Sequence, residues 1–274
     1  YVKEHEILCY WGETIKKQGS TIIEDCFYED HLNTAEKVTV QTSKGNYQCK
    51  LLIDASGYDS PILKKYEIKQ DYYWWSVYGA IVKHPNGLHG MNVGDYMLWQ
   101  TFRDSTVDPN ASLRKGRPVF EYEILDESTT FALILYLGKE KVSLDLMEQE
   151  FMHVLRNQEA TKNFHDVEIQ ELKYGWYPSG DFPPKIAKDR VSFIGDAGLW
   201  CTPCGWGMAV ILNNYKEYAK YITRLVMHNK LDHHSLNDII NLNVHEKHQI
   251  LFDKIMSHFL SNATAAHLDK FIFF

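Results

Sequence analysis

The chain has few cysteines, no long hydrophobic run and no excess of positive charge, and each shortage narrows what it can be. Five cysteines (Cys9, Cys26, Cys49, Cys201, Cys204) among 274 residues are an odd, unevenly spread set. That excludes a disulfide-stapled secreted scaffold and predicts a reducing, cytoplasmic setting. The longest purely apolar run, Phe131–Leu137, is far short of the ~20 residues that cross a bilayer. Acidic residues outnumber basic ones 36 to 29, giving a net charge of −7, the wrong sign for a protein that lives on a phosphate backbone. No nucleic-acid partner is expected.

What is present is ordinary for a folded domain: 45% apolar and 24% charged residues. The length suits one large domain or two ordinary ones, burying roughly 70–75% of the unfolded surface without a metal or disulfide. The first residue is Tyr1, and Val2–Gln18 reads as a helix already under way, so the sequence is expected to start mid-domain. Ser20–Asp25, Val38–Gln41 and Tyr47–Asp54 read as strands, with Ser43-Lys44-Gly45-Asn46 as a hairpin turn. Lys50-Leu51-Leu52-Ile53 is nearly continuous in apolar character, as befits a strand buried on both faces. From Tyr72 to about Leu137 aromatics are dense between turn formers, predicting an antiparallel sheet with one aromatic face. Leu144–Asn157 has helical apolar spacing. Val167–Tyr174 follows as a strand, Pro178–Pro184 as a loop, Arg190–Ile194 as a third buried strand, and Met208–His228 as a helix, with a break near Asp232 before more helix.

The stretch Arg190–Asn214 (RVSFIGDAGLWCTPCGWGMAVILNN) is the most informative. It combines a buried strand, an acid at its carboxyl end, a Pro-containing loop, and Gly-x-Gly opening a helix. Ligands of α/β sheets sit just outside the carboxyl ends of strands. A glycine-rich first turn lets a ligand approach free backbone N–H groups and the positive end of the helix dipole. An acceptor such as Asp196 at that edge suits a sugar-alcohol or ribose hydroxyl.

This stretch resembles the GD motif of glutathione-reductase-type flavoproteins, with Gly195, Asp196, Ala197, Pro203, Gly205 and Gly207 in register. The resemblance implies FAD as cofactor, Asp196 on its ribityl chain, and the backbone of Gly205, Trp206, Gly207 and Met208 against the pyrimidine edge of the flavin. There a helix N-terminus stabilises the charge that collects on reduction. Upstream, Leu52-Ile53-Asp54-Ala55-Ser56-Gly57 resembles the group's second marker, a strand ending in a D-A-x-G turn, so Asp54 and Gly57 complete the expected cofactor set. No G-x-G-x-x-G occurs in the chain. The family places that ADP-binding fingerprint ahead of these markers, so a fragment of a longer flavoprotein is expected.

Tyr78-Gly79, His84-Pro85, Met97–Asp104 and Pro118-Val119-Phe120-Glu121-Tyr122 resemble, in order, segments of the lycopene cyclase and geranylgeranyl reductase branch. Cyclases carry adjacent glutamates on the following strand, where this chain reads Phe131–Leu137 without a carboxylate. Glu121 and Glu123 alternate onto one face and are the candidate substitutes, or plain surface residues. The resemblance implies an FAD-dependent oxidoreductase acting on a hydrophobic, isoprenoid-type or aromatic substrate. The alternatives are a non-redox, lycopene cyclase-type flavoprotein and a flavin-free binding protein on the same scaffold. No side chain is singled out as catalytic.

The expected fold class is α/β with an α+β insert: an FAD-binding three-layer sheet, split by an antiparallel substrate sheet, and a helical C-terminus. Residues 1–70 and 173–212 form the cofactor part, 71–172 the substrate part and 213–274 the C-terminal helices. Trp200-Cys201-Thr202-Pro203-Cys204 mimics a thioredoxin site, but the helical remainder lacks the strands such a fold needs. Cys201 and Cys204 are a thiol pair near the flavin or simply small buried residues. His245-Glu246-Lys247-His248 does not match H-E-x-x-H, and no metal site is expected. Arg103, Arg114 and Arg117 are candidate partners for an anionic head group, or solvated surface. Phe259, Leu260, Leu268 and Phe271–Phe274 suggest a peripheral membrane contact.

Overall fold

The computed structural model describes residues 4–69, 73–100, 118–179, 186–198, 200, 207–238 and 255. The expected first helix is α1 (Glu4–Lys17). A small antiparallel sheet follows, ordered β1 (Tyr28–Asn33), β2 (Val38–Thr42), β3 (Gly45–Cys49). Thr42 faces Gly45 across the expected Ser43-Lys44 turn. Ser20–Asp25 is not a strand, contrary to its β-branched composition. The ladder on β2 begins with Thr42 opposite Tyr28, and the pairing reaches upstream only to Phe27, whose carbonyl accepts from Ser43 N at 2.9 Å. Ile22 and Ile23 accordingly stand 38% and 40% exposed.

Next come β4 (Leu52–Asp54) and the short α2 (Pro61–Lys65). The chain then builds β5 (Tyr73–Lys83), β6 (Tyr96–Gln100), β7 (Val119–Ile124) and β8 (Thr129–Gly138). The helix α3 (Leu144–Asn157) has the bounds its spacing predicts, and a 3₁₀ segment, Glu159–Phe164, leads into β9 (Glu168–Ser179). These five strands form one antiparallel sheet ordered β6-β7-β8-β5-β9. β9 runs past the expected strand end at Tyr174, through Pro178, which pairs with Trp74. Proline is tolerated there because β9 is an edge strand. The boundary drawn at 172 therefore falls inside a strand of this sheet.

After it, β10 (Val191–Phe193) lies parallel to β4, with Phe193 beside Asp54. A 3₁₀ turn (Gly195–Gly198), α4 (Gly207–Met227) and α5 (His233–Asn237) complete the described chain. The fold class is thus α/β with a large antiparallel sheet inserted between two parallel strands. All three residues of β10 are buried. β4 departs from expectation, because Ile53 is 38% exposed and only Asp54 is buried. No described helix is long and apolar enough to cross a membrane. The C-terminal apolar residues 259–274 lie outside the described residues, as do Cys201, Cys204, Arg103, Arg114 and Arg117.

Side chains of a strand alternate between faces, and the main core occupies the even-numbered face of the large sheet. There Tyr78, Ala80, Val82, Phe120, Ala132, Ile134 and Tyr136 meet Met147, Phe151, Val154 and Leu155 of α3. Phe120 and Phe151 stack with centroids 6.4 Å apart. The aromatics are not confined to this face. Trp75 and Tyr177 stack on the odd-numbered face at 6.3 Å, because neighbouring residues such as Trp74 and Trp75 must point opposite ways.

Arg190, 5% exposed, ties the small sheet to the parallel pair. Its guanidinium donates to the carbonyls of Ala35 and Lys50 (3.1 and 3.0 Å) and to Asn229 Oδ1 (2.8 Å) just past α4. A buried cation is tolerable only when its donors are satisfied.

Gly79 marks the tightest strand contact. A Cβ there would crowd both the Ala132 carbonyl oxygen and the Leu133 Cβ, at 2.4 Å each. Gly79→Ala is expected to cost ~1–3 kcal/mol through overpacking, seen as a lower urea midpoint; an unchanged midpoint would contradict this close approach.

Candidate functional site

The carboxyl ends of β4 and β10 lie side by side, and the pairing continues one residue further through Ile194 N–H to the Asp54 carbonyl, 2.9 Å. Both sequence markers therefore meet at one edge. Asp54, 3% exposed, faces inward. Its carboxylate accepts from Ser56 N (2.9 Å), Ser56 Oγ (2.6 Å) and Ser60 Oγ. Ser60 in turn caps α2, its Oγ accepting from Ile62 N and Leu63 N at 3.0 Å each. Asp54 thus folds the turn and starts the helix. Gly57, in the left-handed region at φ +86°, lets the chain reverse between them.

Asp196 has the opposite environment. It is half-buried in the 3₁₀ turn after β10, and burial alone raises its carboxyl above the usual range. Among the described residues no hydrogen bond or ion pair holds it. Gly195 (φ +60°) turns the chain just before it. Ala197 is fully buried against Phe193 and Val191. Gly198 admits the strand end: a Cβ would lie 2.5 Å from the Phe193 carbonyl oxygen.

The turn is braced by Trp200, whose N–H donates to the Gly195 carbonyl (2.8 Å) and whose ring meets Tyr218 of α4 edge-on at 5.1 Å. The Tyr218 hydroxyl lies 3.3 Å from Ser192 Oγ on β10, and burial pushes it up to about 12. Gly207 and Met208 open the 21-residue α4. The first N–H groups of an α-helix lack intrahelical acceptors. Pro203, Gly205 and Trp206 lie outside the described residues.

Sequence reasoning gave Ser60 and Tyr58 no part, and named Ser56 and Trp200 only as members of longer motifs. Tyr58 meets Trp74 edge-on at 4.8 Å, and the Lys141 ammonium stands 4.0 Å over Trp74 and 4.6 Å over Tyr58. This cation–π contact fastens the large sheet to the Asp54 turn. A serine two residues after a strand-end aspartate is the only advance signal, since side-chain partners from distant segments leave no local pattern.

Neither a protein-family model nor a curated protein sequence matches the chain. Solved structures do. A geranylgeranyl bacteriochlorophyll reductase-like protein from Thermoplasma acidophilum superposes with a TM-score of 0.68 at 13% identity, over 97% of this chain and 65% of that one. PqsL, a probable FAD-dependent monooxygenase from Pseudomonas aeruginosa, gives 0.59 at 12% identity, over 90% and 68%. The halogenase PltM, in complex with phloroglucinol and FAD, gives 0.60 at 12% identity, over 92% and 52%.

The chain has the fold of FAD-dependent oxidoreductases. At this identity the likeness concerns fold alone. The chain spans about half to two thirds of the solved structures it matches, between 51% and 65% of four of them.

Two substitutions probe the edge on this flavoenzyme fold. Ser60→Ala removes both the α2 cap and a partner of Asp54, and is expected to cost ~1–2 kcal/mol in urea unfolding. Asp196→Asn is expected to raise the melting temperature at neutral pH. A carboxyl whose folded pKa is raised disfavours the folded state once ionised. The gap between variant and parent should close as pH falls toward the unperturbed value of 3.8, and a variant less stable at neutral pH would contradict it.

Proposed function

We propose that the protein is an FAD-dependent oxidoreductase acting on a hydrophobic substrate, isoprenoid-type or aromatic, in the geranylgeranyl reductase-like branch. The observation that carries this reading is Asp196. A half-buried carboxylate without a partner among the described residues, at the carboxyl edge of a parallel pair, is a group made for a ligand's hydroxyls. The donor set fits the ribityl and pyrimidine side of FAD. Asp196 would accept from ribityl hydroxyls, Gly195 and Gly198 keep the turn tight, and the α4 N-terminus at Gly207 and Met208 supplies backbone donors. Gly57 shapes the neighbouring strand end. The ADP half would need donors beyond these, because the chain carries no G-x-G-x-x-G.

FAD, when bound, supplies hydride and electron transfer. The chain's own tasks are then to bind, orient and keep water out. Asp54 performs the second through Ser56 and Ser60, holding the turn rather than the ligand. The helix dipole at α4 favours negative charge at its N-terminus by preorganisation. The apolar strands β5 and β8 supply a water-excluding wall.

The test is the visible absorption spectrum, after soaking with FAD, of this 274-residue chain and of the complete product of its gene. Flavin bands that survive desalting in either support the reading, and none in both overturns it. Where flavin is retained, Asp196→Ala is expected to weaken retention about tenfold to a hundredfold, the usual worth of a hydrogen bond to a charged group.

A further inference from the structure

The small sheet meets α2 through a buried polar cluster that has no part in the edge at Asp196. His31 of β1 is 3% exposed. Its Nδ1 lies 2.6 Å from the Tyr28 hydroxyl, and its Nε2 lies 2.7 Å from the hydroxyl of Tyr66, the C-cap of α2. Asn33 Nδ2 donates to the same Tyr66 oxygen (3.3 Å) and to the Asp189 carbonyl (2.7 Å). Asn33 Oδ1 is buried with no partner among the described residues. Beside the ring, Lys65 of α2 donates to Asp30 Oδ1 and to the His31 carbonyl.

The charges around His31 come from four directions, and each is engaged elsewhere. Asp30 on β1 pairs with Lys65. Asp54 at the end of β4 is held by Ser56 and Ser60. Asp189, ahead of β10, accepts from His233, and Lys188 Nζ stands 5.6 Å from the Tyr66 ring centroid. Burial, then the charge of Lys65, hold the imidazole below its ordinary value of 6.5, against opposition from Asp30 and Asp54. Burial also pushes the Tyr28 hydroxyl up to about 12 and raises that of Tyr66. Both phenols therefore keep their protons near neutrality, where an imidazole can gain one.

A neutral imidazole donates from one nitrogen and accepts at the other, so ring and phenols satisfy each other. An imidazolium donates from both, and a phenol O–H that pointed at the ring loses its acceptor. The new charge has no carboxylate hydrogen-bonded to the ring among the described residues, and an unpaired buried charge is costly. Asn33 Oδ1 adds to the tension, since water would satisfy it once the joint parts. We propose that His31 is an acid-opened latch: on taking up a proton its ring leaves the two tyrosines, and the small sheet parts from α2. The Arg190 bond to the Ala35 carbonyl lies outside this cluster, so the opening stays local.

The sign follows from linkage. The open form binds a proton near 6.5 and the closed form only below it, so the latch holds above that pH and weakens as pH falls through it. α2 has five residues, too few to persist undocked. Its amides at Lys64 and Tyr66, with Ile68 just beyond, bond to carbonyls of Ser60, Ile62 and Leu63 and so report the opening. Hydrogen exchange of these amides is measured at about pH 7.5 and about pH 5.5, corrected for the intrinsic rate. Protection is expected to fall about threefold to tenfold at the lower pH, tenfold being the limit set by one proton with an open-form value near 6.5. Protection in α3 should not fall with it. His31→Gln, which cannot take up the proton, should show no such fall in α2. Unchanged α2 protection, an equal loss in α3, or a loss that persists in His31→Gln overturns the proposal. The comparison of α2 with α3 in the unaltered protein stands as a test even if the variant fails to fold. None of these readings depends on bound flavin.

Discussion

Everything in this chain hangs on the parallel pairing of two three-residue strands, β4 and β10. Parallel neighbours cannot be joined by a tight hairpin and need a crossover. Here the crossover contains the whole five-stranded sheet and α3, so a short ladder carries a long excursion of chain. So small a ladder needs support from outside itself. Arg190 gives it at the entry to β10, binding carbonyls ahead of β2 and β4 and the end of α4. Tyr218 and Trp200 give it at the exit. The strand ends that result are where glycine turns meet a carboxylate that has no partner among the described residues.

The two aspartates at that edge divide the work by environment. Asp54 has three donors and scarcely any exposure, and its charge is spent on the fold. Asp196 is half-buried with its carboxyl raised by desolvation, a cost a protein tolerates where a ligand offsets it. One residue type at two neighbouring strand ends thus serves as scaffold in one place and stands without a partner among the described residues in the other. Local sequence treats them alike, each followed directly by alanine.

The large sheet divides its faces in the same manner. Its even side is closed by the stripe Met147, Phe151, Val154 and Leu155 of α3 into a close-packed core. Its odd side sets Glu121 and Glu123 of β7 on the same face as Leu133 and Leu135 of β8. Lys141, lodged over Trp74 and Tyr58, joins this sheet to the Asp54 turn.

By itself the sequence determined what local periodicity encodes: α3 to the residue, α4 nearly so, the Ser43-Lys44 turn, the strand at Val191–Phe193 and the glycine–acid turn after it. Helical spacing, turn chemistry and continuous apolar runs are written within a few residues of each other. Its failures were those of partnership. Ser20–Asp25 had strand composition but no ladder to join, β9 ran through Pro178 because it lies on an edge, and the aromatics split between faces once Trp74 and Trp75 alternated. Only the tertiary structure decided that Asp54 is bound up with Ser60, that Asp196 has no partner among the described residues, and that Glu121 meets Tyr96. Burial and hydrogen bonding depend on residues brought together from distant segments, and no window of sequence contains both partners.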